Sequence, residues 1–315
     1  MKLFISSRVL DEIINRLEDV DYSYNDSNVP MTKEEIIAGL QGKDALICPL
    51  SDKIDREIMD AAEDLKLILN YGAGFDNIDI AYAREKGIVV CNAPAPSSAV
   101  STAELTFALI LAQARQLILG DKDLRAGGFH GWRPTYFLGQ QLKGKTLGIF
   151  GMGNIGQNLA KRALAFDMKV VYFSRNRKEA IEECGATYVS FDELLRESDF
   201  ISIHSAFVPE LKHKFDADAF KAMKKSATFI NAARGPLIDE QALADALKDG
   251  TITGAALDVY EFEPKVTEDL LKLDNVTLAP HLGNATVEAR LEMGNACVDN
   301  LEDFIAGRKP RNQVN

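Results

Sequence analysis

The segment TLGIFGMGNIG, residues 146–156, is the part of the sequence that says most about its fold class. Its first five residues are a short, mainly apolar run of the kind found in buried strands. Three glycines follow at the spacing G-x-G-x-x-G, and a helical pattern then runs over residues 154–166. A strand that enters a helix through a glycine-rich turn is the core of a β/α unit. The stretch therefore predicts an α/β domain with a parallel sheet.

Each glycine of this turn has its own physical use. Gly151 permits the tight turn, Gly153 lets a pyrophosphate approach the backbone, and Gly156 lets the helix pack closely on its strand. The helix start at Asn154 and Ile155 offers N–H groups and the positive end of the helix dipole to a phosphate. A strand–helix turn without a ligand is the alternative, but the flanking strand and helix favour a dinucleotide site.

The residues after the next predicted strand, 169–173, bear on which dinucleotide binds. An NAD site usually has a carboxylate there for the ribose 2′-hydroxyl, whereas Asp167 lies before the strand, at its wrong end. Ser174, Arg175 and Asn176 follow the strand instead. A small hydroxyl leaves room for a 2′-phosphate, and Arg175 supplies a charge-assisted fork. These three residues are predicted to bind the cofactor, with NADP(H) favoured over NAD(H). A solvated basic loop is the alternative.

The composition limits the classes of protein to consider. At 315 residues, with 46% hydrophobic and 26% charged residues, the chain suits two globular domains. A net charge of −11 argues against a nucleic-acid partner but not against a small anionic substrate. The N-terminal apolar stretch is too short for a signal peptide, and no run of 18 apolar residues predicts a membrane span.

The cysteines point to a reducing compartment. They are widely separated and include no C-x-x-C pair, so neither a metal site nor a redox pair is expected. They are predicted to be small core residues, and the cytoplasm is the expected location. The four are Cys48, Cys91, Cys184 and Cys297.

The rest of the chain repeats the β/α pattern. Helices are predicted at 32–40, where Thr32 and Glu35 have capping-box spacing, and at 55–62 and 78–86. One long helical pattern has an apolar face from Val100 to Ile118, another starts at Val287, and residues 124–142 read as an extended loop or arm. The other predicted strands are 2–6, 45–48, 65–71, 88–91, 200–204, 228–231, 254–258 and 276–279.

Three polar residues follow predicted strands of the second series. Arg234 comes after 228–231, and Glu263 and His281 come after the next two strands. Ligands of open α/β sheets bind beyond the carboxyl ends of the strands, so the three could converge. A histidine suits a proton donor near neutral pH, a neighbouring carboxylate would raise its pKa, and an arginine can hold a carboxylate and polarise a keto oxygen. These residue types suit ketone reduction by a nicotinamide.

The pattern leaves other assignments open. A lone histidine after a strand is usually structural. That description applies equally to the other three histidines, His130, His204 and His213. Glu261 could also be taken for Glu263. Periodicity alone does not choose among them.

Six short segments occur in a fixed order along the chain. The ordered set identifies a protein family far more specifically than any one segment does. They are GAGFDNID (72–79), GMGNIG (151–156), NAARG (231–235), ALDV (256–259), EP (263–264) and PHLG (280–283). Together they make the chain resemble the D-isomer-specific 2-hydroxyacid dehydrogenase family. It is most similar to the glyoxylate/hydroxypyruvate reductase branch, through WRP (132–134), FLG (137–139) and SRNR (174–177).

The resemblance implies a role for each matching residue. Arg234 is the expected substrate-orienting cation, His281 the proton donor and Glu263 its partner. The N–H groups of Ala73 and Gly74 are expected to hold the substrate carboxylate, with Leu50 lining the pocket. Ala232 and Asp258 are expected at the nicotinamide end, and Ala233 is a further expected cofactor contact.

The resemblance also implies an architecture and an assembly. Two Rossmann-like or flavodoxin-like parallel-sheet domains are expected, with a cleft between them. Residues 1–98 plus 287–315 form the split substrate domain, and residues 99–286 form the dinucleotide domain. The long helix from Ala99 and the final helix are the implied hinges. A homodimer through the arm is expected, with Trp132 reaching the partner's pocket.

The chain departs from the family pattern near residue 204. Ala206 and Val208 stand where the family usually has Pro and Thr, and Asn284 replaces a more usual Ser. A second class of function also shares this fold, the non-catalytic dinucleotide sensors such as the C-terminal-binding protein corepressors. The presence of Arg234, Glu263 and His281 together favours an enzyme acting on a small 2-oxo or 2-hydroxy acid.

Overall fold

The computed structural model describes all residues 1–315, which divide into two compact units. One unit comprises Met1–Ser98 and Ala285–Asn315, and the other comprises Ala99–Asn284. The strands are β1 (Lys2–Ile5), β2 (Asp21–Tyr24), β3 (Ala45–Cys48), β4 (Leu67–Asn70), β5 (Val89–Cys91), β6 (Thr146–Phe150), β7 (Lys169–Phe173), β8 (Ala186–Tyr188), β9 (Phe200–Ile203), β10 (Thr228–Asn231), β11 (Gly254–Leu257) and β12 (Val276–Leu278).

Helices connect most of these strands. They are α1 (Asp11–Asn15), α2 (Lys33–Gly39), α3 (Arg56–Ala61), α4 (Ile80–Glu85), α5 (Pro96–Ala114), α6 (Leu117–Arg125), α7 (Asn154–Ala165), α8 (Glu179–Glu182), α9 (Phe191–Glu197), α10 (Ala217–Ala222), α11 (Glu240–Lys248) and α12 (Val287–Ile305). The predicted capping box is confirmed, because the Thr32 hydroxyl accepts from the Glu35 N–H and the Glu35 carboxylate accepts from the Thr32 N–H.

The first unit has a parallel sheet in the order β2-β1-β3-β4-β5. β3 and β4 are buried along their whole length, which explains their continuous apolar sequences. The final helix α12 belongs to this unit, and Met293, Cys297 and Leu301 join the core that also contains Leu3 and Leu69.

The second unit has a parallel sheet in the order β12-β11-β10-β9-β6-β7-β8. The direction of strand progression reverses at β6, which pairs with β7 on one side and β9 on the other. Ligands of such sheets bind at this switch point, beyond the carboxyl ends of the strands. The prediction of two parallel-sheet α/β domains is confirmed.

The ten predicted strands are present, with bounds that differ by no more than two residues. Two strands were not predicted, β2 (DYSY) and β8 (ATY), and both lie at a sheet edge. An edge strand is partly exposed and needs no continuous apolar run, so its sequence has little to distinguish it from a loop.

The prediction of one apolar helix from Val100 to Ile118 is wrong at its end. The helix α5 stops at Ala114, and Gln116 adopts a left-handed conformation with φ of 50° before α6 begins at Leu117. Ile118 therefore lies on a different helix and is exposed. The arm predicted at residues 124–142 begins at residue 126 instead, because α6 continues through Leu124 and Arg125. Residues 126–142 contain no helix or strand.

Three cysteines, at positions 48, 91 and 297, are buried as predicted, but Cys184 is exposed. It follows the short helix α8, and its side chain lies outside the core that its neighbours Ile181 and Ala186 join. No single helix is long and apolar enough to span a membrane, although the bent pair of α5 and α6 meets the length and composition criteria jointly.

Candidate active site

The glycine-rich turn between β6 and α7 has the close packing that its sequence predicts. Gly151 has φ of 99°, and a Cβ there would lie 2.7 Å from the backbone of His204 and Ser205. A Cβ on Gly156 would lie 2.3 Å from the carbonyl oxygen of Gly151. A Cβ on Gly153, in contrast, would have no atom within 4 Å. Two glycines are thus required by the fold, while the third leaves open space.

The start of α7 has free donors beside this open space. Gly153 is the N-cap and has no side chain to accept from the first turn. The N–H groups of Asn154, Ile155 and Gly156 therefore remain available to an anion. Open space at Gly153 and an uncapped helix N-terminus fit the pyrophosphate of a dinucleotide.

Two alanine substitutions separate the roles of these glycines. Gly156→Ala is expected to destabilise the protein by about 1–3 kcal/mol, because the new methyl meets a backbone oxygen. Gly153→Ala should leave the melting temperature nearly unchanged but weaken NADPH binding at least tenfold, which is about 1.4 kcal/mol. Thermal unfolding and fluorescence titration measure the two effects. Wild-type NADPH affinity in Gly153→Ala would contradict the assignment.

The turn after β7 leaves one arginine unengaged. Arg177 is held by Glu182 through two hydrogen bonds of 2.6 and 3.1 Å, and its guanidinium lies over the Tyr188 ring. The Ser174 hydroxyl donates to the Asn176 carbonyl. Arg175 is exposed, and its side chain forms no ion pair or hydrogen bond. Arg175 is thus free to meet a phosphate.

Arg234 follows β10 in a turn that an asparagine organises. The buried Asn231 side chain donates to the Arg234 carbonyl and accepts from the Ala233 N–H, both at 3.0 Å. Nη1 of Arg234 donates to the Ala233 carbonyl at 2.8 Å. Ala232 and Ala233 are buried. Asn231 was not predicted as a functional residue, although a polar residue at the end of a buried strand is a usable signal.

Glu263 and His281 form a pair. Nδ1 of His281 lies 3.0 Å from Oε2 of Glu263, and Oε1 accepts from the Tyr260 N–H at 3.0 Å. Burial raises the pKa of Glu263, but the hydrogen bond and charge of His281, the Tyr260 N–H and the charge of Arg234 together hold that pKa below its ordinary value. The structure therefore brings Arg234, Glu263 and His281 within electrostatic reach of one another.

Asp258 fixes the backbone around His281. Its side chain is buried and accepts from the N–H groups of Leu282 at 2.6 Å and Gly283 at 2.8 Å, while its carbonyl accepts from the His281 N–H. Burial raises the pKa of the Asp258 carboxyl despite these hydrogen bonds. His281 has φ of 55°, a left-handed conformation that these contacts stabilise. Contact of Asp258 with a nicotinamide stays a prediction.

The structure separates the other histidines from this site. His213 pairs with Glu261, with Nε2 and Oε1 2.6 Å apart, so the two adjacent glutamates serve different histidines. His204 is buried beside the Ser202 hydroxyl, and burial lowers its pKa to about 3. A histidine with so low a pKa is neutral near pH 7 and is a poor proton reservoir. His130 is exposed on the arm.

The loop after β4 in the first unit includes two adjacent unengaged N–H groups, at Ala73 and Gly74. The carbonyls of residues 72–74 are bound: Gly72 accepts from the Ala93 N–H, Ala73 from the Asn92 side chain, and Gly74 from the Asn70 side chain at 2.6 Å. The N–H groups of Ala73 and Gly74 have no partner within the chain. Two adjacent free donors are a suitable site for a carboxylate.

Leu50 lies against this loop, since a Cβ on Gly72 would be 2.7 Å from its side chain. Asn70 and Asn92 were not predicted, because their partners depend on how β4 and β5 pair.

In the second unit, the segment after β9 that departs from the family pattern forms a loop with an exposed Val208. A short 3₁₀ turn at Pro209–Leu211 follows it.

Comparison with known proteins gives consistent matches. A family model described as "D-isomer specific 2-hydroxyacid dehydrogenase, NAD binding domain" matches residues 107–283. A Staphylococcus aureus protein with a provisional 2-hydroxyacid dehydrogenase name is 51% identical over 284 residues, which cover 90% of this chain and 89% of that protein.

Two solved structures are similar along nearly their whole lengths. A D-lactate dehydrogenase from Aquifex aeolicus, complexed with NAD and lactic acid, is 31% identical with a TM-score of 0.84, covering 98% of this chain and 96% of that one. An NADPH-dependent glyoxylate/hydroxypyruvate reductase from Sinorhizobium meliloti, in complex with NADP and malonate, is 29% identical with a TM-score of 0.84, covering 99% and 96%.

Proposed function

Because the chain belongs to the D-isomer-specific 2-hydroxyacid dehydrogenase family, we propose that it reduces a small 2-oxo acid to the D-2-hydroxy acid. The substrate is of the glyoxylate, hydroxypyruvate or 2-ketogluconate type, and NADP(H) is preferred over NAD(H). The observation that carries the proposal is the Glu263–His281 pair within reach of the Arg234 charge, beyond the carboxyl ends of one parallel sheet.

A dinucleotide held at Gly151, Gly153 and the start of α7 supplies the hydride when bound. Glu263 engages Nδ1 of His281, which leaves Nε2 as the nitrogen that delivers a proton to the keto oxygen. Arg234 orients the substrate and stabilises the negative charge that develops on that oxygen. In the first unit, the N–H groups of Ala73 and Gly74 bind the substrate carboxylate, and Leu50 lines the pocket.

The function is tested by following NADPH oxidation with glyoxylate, hydroxypyruvate and 2-ketogluconate. Turnover of at least one of them, with a D-configured product wherever the product is chiral, is the expected result. Absence of turnover with all three would contradict the assigned substrate class.

The four free cysteines support a reducing compartment, and we propose the cytoplasm.

Arg175→Ala tests the cofactor preference. The substitution removes the one arginine in the turn after β7 that has no partner, so we expect NADPH to bind about tenfold or more weakly while NADH is almost unaffected. Steady-state kinetics with both cofactors measure the change. Arg177→Ala is the matched control, because Arg177 is already held by Glu182. Equal losses for NADPH and NADH in Arg175→Ala would contradict the 2′-phosphate assignment.

We further propose a homodimer formed through the arm at residues 126–142. Trp132 is 84% exposed, and Phe129 and Leu138 of the same short segment are also exposed. Several exposed apolar side chains on one segment suit a protein–protein contact. The Arg133 guanidinium lies over the Tyr136 ring, which also meets the Phe137 ring edge to face, so part of the arm is packed against itself. In this dimer, Trp132 of one protomer is proposed to reach the substrate pocket of its partner.

Light scattering at micromolar concentration is expected to give twice the mass of the 34.7 kDa chain. Trp132→Ser should shift the equilibrium toward monomer, because it removes the most exposed aromatic side chain of the arm. Leu271→Ser, at another exposed apolar residue of the same unit, is the control and should leave the mass unchanged. A wild-type monomer would refute the proposal.

A further inference from the structure

Glu240 is a fully buried carboxylate that the reaction above does not use. It is the first residue of α11, next to the N-cap Asp239. Its Oε1 accepts from the Glu261 N–H at 2.7 Å, and its Oε2 accepts from the N–H and hydroxyl of Thr267 at 3.1 and 2.5 Å. These three donors and the positive end of the helix dipole stabilise a buried negative charge.

The three donors come from the two ends of one loop. Residues 261–267 lead from β11 toward β12, and Glu263 lies between the two residues that Glu240 binds. The Glu240 N–H also faces the Glu261 carboxylate at 3.4 Å. A Cβ on Gly235 would lie 1.8 Å from the Tyr260 carbonyl oxygen, so the residue before the loop is packed against the Arg234 turn.

We propose that Glu240 is a positioning residue for the Glu263–His281 pair. It fixes both ends of the 261–267 loop and so determines where the Glu263 carboxylate meets the His281 ring. This role rests on the proposed function, in which His281 donates the proton. Glu261 cannot take the place of Glu263, because its own carboxylate is bound to His213.

The chemistry of the contact makes Glu240→Gln an informative variant. A carboxylate accepts at both oxygens, whereas an amide has one acceptor and one donor. The amide NH₂ would face either the Glu261 N–H or the Thr267 N–H, while the Thr267 hydroxyl can rotate to accept from it. In either orientation a backbone N–H at one end of the loop loses its acceptor. The volume of the side chain is unchanged, which limits other effects on packing.

The experiment follows the histidine ring signals by NMR during a pH titration of the protein without substrate. The chain has four histidines, and His281→Ala identifies the signal of His281. Glu263→Gln is expected to move the His281 midpoint to lower pH, and Glu240→Gln to move it in the same direction by at least half as much. In the double variant the midpoint should move no further than in Glu263→Gln alone, because Glu240 acts through Glu263.

The kinetic measurement is kcat/KM for 2-oxo acid reduction above neutral pH. We expect kcat/KM of Glu240→Gln to fall about tenfold there, because small misplacements of reacting groups can lower rates by up to ~10²-fold. Asp239→Ala is the matched control. It removes the N-cap of the same helix, where Asp239 accepts from the Ala242 N–H at 2.9 Å, without a contact to the loop. It should lower stability and leave the His281 midpoint in place.

Thr267→Val provides a milder variant if Glu240→Gln does not fold, because it removes only the hydroxyl donor, and a smaller shift in the same direction is expected. An unchanged His281 midpoint in Glu240→Gln, or an additive shift in the double variant, would overturn the positioning role. An unchanged midpoint in Glu263→Gln would overturn it together with the role of Glu263, while NADPH oxidation separately reports whether the proposed activity survives.

Discussion

Replacing His281 by alanine is expected to lower kcat for 2-oxo acid reduction by about 10²–10⁴ at every pH, the usual contribution of a general acid. NADPH binding should stay nearly intact, because the cofactor site is centred on the glycine-rich turn rather than on the loop after β12. Stopped-flow or steady-state rates and a fluorescence titration with NADPH measure the two quantities. Comparable losses in rate and in NADPH affinity would show that His281 acts on cofactor binding instead.

Glu263→Gln is expected to produce a different pattern from the alanine variant at position 281. The pKa of Glu263 lies below its ordinary value, so its negative charge, and the interaction with His281 that depends on it, are present above the ordinary carboxyl range and lost as the pH falls through the lowered pKa. Across the working range the charge therefore favours the protonated His281 ring. Removing it should lower kcat modestly at acidic pH and steeply toward neutral pH.

The measurement for Glu263→Gln is the pH–rate profile of kcat/KM, whose basic limb should move to lower pH than in the wild type. Glu268→Gln is a suitable control, because Glu268 is an exposed residue on the same connection between β11 and β12. If the basic limb stays at the same pH in Glu263→Gln, the carboxylate does not tune His281 and the pair has only a structural role.

Arg234→Ala is expected to raise KM and lower kcat together, with a loss in kcat of about 10²–10³, the range seen when one donor to a developing oxyanion is removed. The guanidinium would hold both the ground-state substrate and the alkoxide that forms during reduction, so both parameters should change. Arg234→Lys keeps the charge but loses the planar fork, and an intermediate loss is expected.

Arg196→Ala is the control for Arg234, since Arg196 is exposed on α9 in the same unit. A rise in KM without a change in kcat would show that Arg234 binds substrate equally in the ground and transition states, and that another group stabilises the alkoxide.

Buried strands were predicted from their apolar runs, whereas two partly exposed edge strands were not. β3, β4, β9 and β10 are buried along their whole length, and their apolar runs are visible in the sequence. β2 and β8 depend on a neighbouring strand for their existence, because their backbone groups pair while their side chains remain partly exposed. The left-handed Gln116 that ends α5 was likewise invisible, since the apolar pattern continues past it.

In the candidate site, some residues can be assigned from local spacing, and others only from their contacts in the folded chain. Gly151, Gly153 and Gly156 can be assigned from their spacing because their roles are local to one strand–helix turn. Whether Glu261 or Glu263 partners His281 cannot be decided from spacing, since the two are adjacent in sequence and each meets a different histidine. Asn70, Asn92 and Glu240 were missed because their partners are set by strand order and loop packing.

Local patterns in the chain predict the β/α order, the glycine-rich turn and the placement of Arg234, Glu263 and His281 after strands, because periodicity and turn chemistry act over a few residues. Local patterns did not distinguish Glu263 from Glu261 as the partner of His281, and the contacts of the folded chain do. Those contacts also show that Arg177 is held while Arg175 is not, and that Glu240 binds both ends of the 261–267 loop. A hydrogen bond depends on atoms within about 3 Å. Such proximity arises from the packing of strands and loops, which no local pattern encodes.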